Sequence, residues 1–141
     1  MAMLNDRTAI VTGAGRGLGR AMAQGLADAG ANVVLVELDR DVLDAAVSEI
    51  GSGCIGVRGD VSDGDDAARI VDETMAAFGG VHILVNNAGL GPERFRDTDR
   101  SNAKMVWEID PGDWRLYLDV NATGHFVMTR AVMPRLLAQD W

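Results

Sequence analysis

One cysteine, one tyrosine, one lysine and two histidines are all this chain offers of the side chains that most often carry catalysis or bind metals. Each shortage excludes something. Cys54 alone cannot form an internal disulfide, and with only His82 and His125 elsewhere there is no metal-ligand spacing, so no metal is expected. The thiol is expected instead as a buried strand residue. A phenol of pKa about 10 needs a nearby cation to act as acid or base near neutrality. Tyr117 is the only phenol and Lys104, 13 residues upstream in a polar segment, the only lysine, so such chemistry has little to draw on. No apolar run approaches the roughly 20 residues of a membrane span. Met1-Ala-Met-Leu-Asn-Asp leads into the first apolar run without a signal-peptide pattern, so a cytoplasmic address and no membrane partner are expected. Basic charge is scarce as well: the formal charge of −8 argues against nucleic acid or an anionic surface as partner.

What remains is the composition of a globular protein. With 141 residues, 48% apolar and 24% charged, the chain is expected to form one domain over 1–141. Apolar runs at 7–12, 32–37, 54–58 and 81–86 are continuous rather than alternating, as in parallel strands covered on both faces. Helical patterns fall between them, at about 18–29, 40–50 and 63–78. The third places Ala67, Ile70, Val71, Met75 and Phe78 on one stripe, with Ser62 as expected N-cap and Gly79-Gly80 as stop. Right-handed crossovers then give an α/β, Rossmann-type doubly wound parallel sheet in the order 3-2-1-4, with a crevice between strands 1 and 4. Residues 91–108 read as charged and turn-like. Pro111 suits a first helical turn, and helical spacing from Trp114 to Leu137 is interrupted near Asn121-Ala-Thr-Gly124, predicting two helices or one long one. With no fifth strand pattern, the fold is expected to be truncated after the fourth strand and the following long helix.

The most specific local feature is Thr12-Gly-Ala-Gly-Arg-Gly-Leu-Gly19, set between the first strand and the first helix. Glycines let the backbone approach a pyrophosphate closely, while a helix N-terminus offers free N–H groups and a favourable dipole. Glu37 ends the second strand, 18 positions after Gly19, where a carboxylate can accept hydrogen bonds from ribose hydroxyls and repel an added 2′-phosphate. A solvent-facing strand end is the alternative reading of Glu37. Asn86-Asn-Ala-Gly89 ends the fourth strand and leaves room for a flat ring, or forms an ordinary Asn/Gly turn. Asp60 is open to reading as a turn residue ahead of a cap, and Asn121 as a helix irregularity.

Together, Thr12-Gly13-xxx-Gly17-x-Gly19, Glu37, Asp60-Val61, Asn86-Asn87-Ala88-Gly89 and Asn121 followed by Gly124 resemble the short-chain dehydrogenases/reductases, specifically their N-terminal cofactor-binding half. The resemblance implies an NAD-dependent oxidoreductase that moves a hydride between a nicotinamide and an alcohol or carbonyl substrate in the complete enzyme. It implies that Gly13, Gly17, Leu18 and Gly19 line the pyrophosphate site and that Asp60 and Val61 contact adenine. Ala88 and Gly89 would lie beside the nicotinamide ribose, with Asn86 locking strands and Asn87 touching cofactor. Asn121 would be the asparagine of the catalytic tetrad, its backbone holding a water that leads to the active-site lysine.

The departures matter equally. The family's chemistry needs a serine on a fifth strand and a Tyr-x-x-x-Lys pair, and no residue of this chain matches them. The 141-residue chain is therefore expected to be inactive alone; the alternatives are a non-catalytic nucleotide-binding module or a truncated inactive gene product. Arg16 resembles the basic residue that some members direct at a 2′-phosphate, but Glu37 opposes it, so NAD is expected over NADP. Members commonly pair through the helix beginning near Asn121 and its successor, so a homo-oligomer is expected. Substrate identity is not legible, although 91–108 could supply one wall of a pocket.

Overall fold

A computed structural model describes residues 3–95 and 104–139. Strands β1 (Thr8–Thr12), β2 (Asn32–Glu37), β3 (Cys54–Arg58) and β4 (Ile83–Val85) form one parallel sheet in the order β3-β2-β1-β4, as expected. Helices α1 (Gly17–Asp28), α2 (Arg40–Ile50) and α3 (Gly64–Phe78) alternate with them. β4 is shorter than its apolar run because only Ile83, Leu84 and Val85 pair with β1 before the two asparagines turn the chain.

The pleat explains the two cores. In β1 and β2, Ile10, Val34 and Val36 point to one face and pack with Ile70 and Val71 of α3. Their neighbours Val11, Val33 and Leu35 point to the other face and meet Ala23 of α1 and Leu43 and Ala46 of α2. Successive strand residues alternate faces, so strands buried on both sides must be apolar throughout. Ile10, Leu35, Leu43 and Ile70 are fully enclosed, and truncating any of them to alanine costs about 2–5 kcal/mol. Cys54 lies on the edge strand β3 and is half-buried rather than buried, with burial still raising its thiol pKa.

Beyond β4, a short 3-10 turn (Pro92–Phe95) and another at Val106–Glu108 precede α4 (Pro111–Leu118). A π turn at Asp119–Thr123 joins α4 to α5 (Gly124–Leu137), so the interruption seen in the sequence is a widened turn in one helical path. Met128 and Val132 of α5 are fully buried against the α3 face of the sheet. The middle of the 91–108 segment lies outside the described residues. Phe95 closes onto α4 instead, its ring centroid 4.9 Å from that of Tyr117.

The starts of α1 to α4 follow a common rule with one exception. Asp39, Asp63 and Asp110 cap α2, α3 and α4 by accepting from two backbone N–H groups each. Asp63, not Ser62, is therefore the cap of α3, and the Ser62 hydroxyl instead donates to Asp60 at 2.7 Å. α1 is the exception: Arg16 at its N-cap makes no side-chain cap bond, and its first turn has no acidic residue.

Candidate functional site

The uncapped start of α1 opens onto a cleft of about 680 Å³ above β1 and β4. Every residue expected from the sequence to hold cofactor lines it: Gly13, Arg16, Gly17, Leu18, Gly19, Glu37, Asp60, Val61, Asn87, Ala88 and Gly89. Four distant stretches of chain converge there because β1, β2, β3 and β4 all end on the same side of the sheet.

At Gly13 and Gly19 contact leaves no room for a side chain. At Gly13 a Cβ would sit 2.8 Å from the Ala88 Cα, and the residue also has φ of +62°. A Cβ on Gly19 would overlap the Gly13 carbonyl oxygen and the Asn87 amide. Gly15, to which the sequence assigned no role, is crowded by side chains only: a Cβ would lie 2.6 Å from Val42 Cγ1 and 2.8 Å from Glu37 Oε2.

Thr12 is the junction of this floor. Its Oγ1 donates to the Val85 carbonyl at 3.3 Å and accepts from the N–H groups of Asn87 and Ala88, both at 3.0 Å. Asn87 returns the link, its Nδ2 donating to the carbonyls of Thr12 at 2.9 Å and Gly13 at 3.1 Å. Asn87 thus ties β4 to β1, the part expected of Asn86. Asn86 faces the other way and donates to Thr129 Oγ1 at 2.9 Å on α5.

Glu37 occupies the β2 end of the cleft, where its Oε1 accepts from the Leu38 N–H at 2.9 Å. The turn it stands on is held from β3 by Arg58, whose Nε donates to the Leu38 carbonyl at 2.9 Å. Asp60 stands in a turn at the cleft wall. It lines the cleft, and its Oδ1 organises the turn by accepting from the Ser62 N–H and hydroxyl. Its own N–H is held by Asp66, whose carboxyl pKa is lowered first by that bond and then by Arg69. Arg69 also donates to the Arg58 carbonyl at 2.6 Å, so one arginine braces the β3 exit. Its i,i+3 and i,i+4 acidic partners, Asp66 and Glu73, were the available sequence signal.

Asn121 does not line the cleft. Its side chain reaches it through Leu90, accepting from the Leu90 N–H at 2.9 Å and donating to the Leu90 carbonyl at 3.0 Å. Leu90, Gly91, Leu116 and Val120 complete the open end. Leu116 and Val120 are four apart on one helical face, a spacing that sequence alone could not distinguish from ordinary core.

The fold and cleft define a Rossmann-type α/β protein whose strand ends surround a helix N-terminus left free for an anion. More narrowly, the chain belongs to the short chain dehydrogenase family, whose model matches residues 7–141. It is 36% identical to the 3-oxoacyl-[acyl-carrier-protein] reductase of Synechocystis, a match over 99% of this chain and 54% of that protein. It is 34% identical to the D-beta-hydroxybutyrate dehydrogenase of Cupriavidus necator over 99% of this chain and 51% of that one. Among solved structures, a short chain dehydrogenase/reductase from Burkholderia phymatum in complex with NAD superposes with a TM-score of 0.87 at 35% identity, covering 100% of this chain and 48% of that one. A 3-ketoacyl-(acyl-carrier-protein) reductase from Brucella melitensis complexed with NADH gives 0.84 at 33% identity, over 94% and 51% of the respective chains. The chain thus spans about half the length of the curated relatives it matches.

Proposed function

We propose that residues 1–141 form a nicotinamide-dinucleotide-binding domain that prefers NAD(H), and that in a protein of its relatives' length it serves an oxidoreductase acting on a small alcohol or carbonyl compound. The observation that carries this reading is the free N-terminus of α1, the one start among α1 to α4 without an aspartate cap, opening into the cleft beside Gly13 and Gly19. An aspartate there would compete with a pyrophosphate for the same N–H groups. The donor set and glycine cradle fit such a group. Gly17, Leu18 and Gly19 would hold the pyrophosphate, Glu37 the adenosine ribose, Asp60 and Val61 the adenine. Ala88 and Gly89, bare of side chain beyond a methyl, would border the nicotinamide ribose. A bound nicotinamide supplies a carbon that accepts or gives up a hydride.

NAD over NADP is supported by charge. Glu37 stands in the cleft, and Arg16, the only basic side chain lining it among the described residues, lies 3.9 Å from Asp39. Relatives bound to NAD and NADH agree with a nicotinamide cofactor without deciding this preference.

The chain's own residues provide no Tyr-x-x-x-Lys pair, so we propose that these 141 residues alone turn over no alcohol or ketone. A missing general acid/base costs typically about 10²–10⁴-fold. The same observation favours, as a second reading, a module that binds nucleotide without turnover. A homo-oligomer is supported by the exposed Phe126 and Leu137 on α5 and by the outer edge of β4, unpaired among the described residues. No described helix is long and apolar enough to cross a membrane, and a cytoplasmic setting remains a proposal.

Calorimetric titration tests the binding reading. NADH should bind more tightly than NADPH, and Glu37→Gln should narrow the gap; equal affinities in the unaltered chain would overturn the NAD preference, and no binding of either would overturn the whole reading.

A further inference from the structure

Three polar side chains spaced four apart on the α4–α5 path, Asn121, His125 and Thr129, meet three residues spaced two apart at the exit of β4. Asn121 holds Leu90 through both its amide atoms, at 2.9 and 3.0 Å. His125 Nε2 lies 2.9 Å from the Ala88 carbonyl oxygen. Thr129 Oγ1 accepts from Asn86 Nδ2 at 2.9 Å while donating to the His125 carbonyl at 2.7 Å. The order runs antiparallel: 121 with 90, 125 with 88, 129 with 86. Four helical residues advance about 6 Å and two extended residues about 6.6 Å, so the two spacings stay in step over three rungs. Gly89 lies inside this ladder, where a Cβ would come within 2.7 Å of Asn121 Oδ1.

The middle rung has a direction. A carbonyl oxygen can only accept, so His125 Nε2 carries the proton and donates. Ala88 lines the cleft, whereas His125 does not. From the other side the Ala88 N–H is fixed by Thr12 Oγ1 at 3.0 Å. The peptide groups flanking Ala88 are thus gripped from the sheet at one atom and from the helix at another, and its position at the cleft wall is set by both.

We propose that His125 is a positioning residue for the nicotinamide end of the cleft, acting through the Ala88 carbonyl. This rests on the dinucleotide reading above, which puts the nicotinamide ribose beside Ala88 and adenosine beside Glu37, at the far end. Loss of the His125 donor should therefore weaken ligands that fill both ends and spare those that fill only the adenosine and pyrophosphate end. A role confined to general stability would weaken both alike.

The test is titration of the chain and its variants with NADH and, separately, with ADP, which ends at the pyrophosphate and lacks both the nicotinamide and its ribose. His125→Leu should lower NADH affinity about fivefold, the factor corresponding to the net worth of one hydrogen bond, and leave ADP affinity within twofold. His125→Gln, whose amide nitrogen sits the same number of bonds from the backbone, should restore NADH binding. If leucine compromises folding by circular dichroism, His125→Asn serves in its place, since its amide is one bond too short. Equal losses for both ligands, or NADH affinity unchanged in His125→Leu, would overturn the assignment while leaving the dinucleotide reading intact. Failure of the unaltered chain to bind either ligand would overturn both.

Discussion

The guanidinium of Arg16 lies 3.9 Å from the carboxylate of Asp39, and the two oxygens of that carboxylate have different tasks. Oδ1 caps α2 by accepting from Asp41 and Val42, which fixes the group, while Oδ2 faces Arg16. The one cation lining the cleft among the described residues is therefore partly offset by a carboxylate outside it. Asp39→Asn keeps the cap oxygen and removes the charge, so NADPH affinity should rise relative to NADH by up to about fivefold, the scale of an exposed ion pair. Adding Arg16→Gln should cancel the gain. Competition titrations at low and high salt check this, with the effect shrinking as salt screens the pair; an unchanged ratio in Asp39→Asn would count against it.

Thr12→Val preserves the shape of a fully buried side chain and deletes its hydroxyl. The N–H groups of Asn87 and Ala88 would both lose their acceptor. With an unsatisfied group costing about 1–3 kcal/mol when fully buried and these two only half-buried, urea unfolding should show a loss of about 2–4 kcal/mol. A loss under about 1 kcal/mol would mean that relaxation or water replaces the hydroxyl.

Two glycines of α1 should respond in opposite directions to the same methyl. Gly19→Ala drives a Cβ into the Gly13 carbonyl and the Asn87 amide, so nucleotide binding should be abolished and the melting temperature lowered. Gly25→Ala meets nothing within 4 Å and should stabilise by about 0.4–1 kcal/mol with binding intact. Parallel thermal melts and titrations of both variants decide it; two equal destabilisations would contradict the packing at Gly19.

His82 should make stability fall in mild acid. Its Nδ1 accepts from the Thr8 N–H at 3.1 Å, and burial, then the charge of Arg7, lower its pKa from the ordinary 6.5. The unfolded chain therefore takes up this proton before the folded one does. The contribution of neutral His82 is complete above pH 6.5 and is lost as pH falls below it toward the lowered folded value. Denaturation midpoints measured from pH 8 to pH 5 should drop over that window. The drop should be smaller in His82→Asn, and an identical slope in both would reject His82 as its source.

Much of the molecule is legible in the residues because the relevant signals are local. Continuous Val/Ile/Leu runs such as Asn32–Glu37 specify strands buried on both faces, and Gly79 stops α3 with the left-handed conformation that glycine tolerates. Strand order follows from alternation and handedness, and glycine spacing with Glu37 marks the cleft before any coordinate is known. Partnership between distant side chains has no such local signal. That Asn87 rather than Asn86 turns toward β1, that Asp63 outcompetes Ser62 for the α3 start, and that Asp39 reaches Arg16 all depend on which groups the packed sheet and helices bring within 3 to 4 Å. The helix polar stripe of Asn121, His125 and Thr129 can be read as a periodicity, but its match to Leu90, Ala88 and Asn86 exists only once α5 is seated by Met128 and Val132 on the sheet. Sequence set the elements and the residues of the cleft, because backbone preference and hydrophobic period act over a few positions. Tertiary structure decided how those residues are held, because a hydrogen bond is made only at short range and in one orientation.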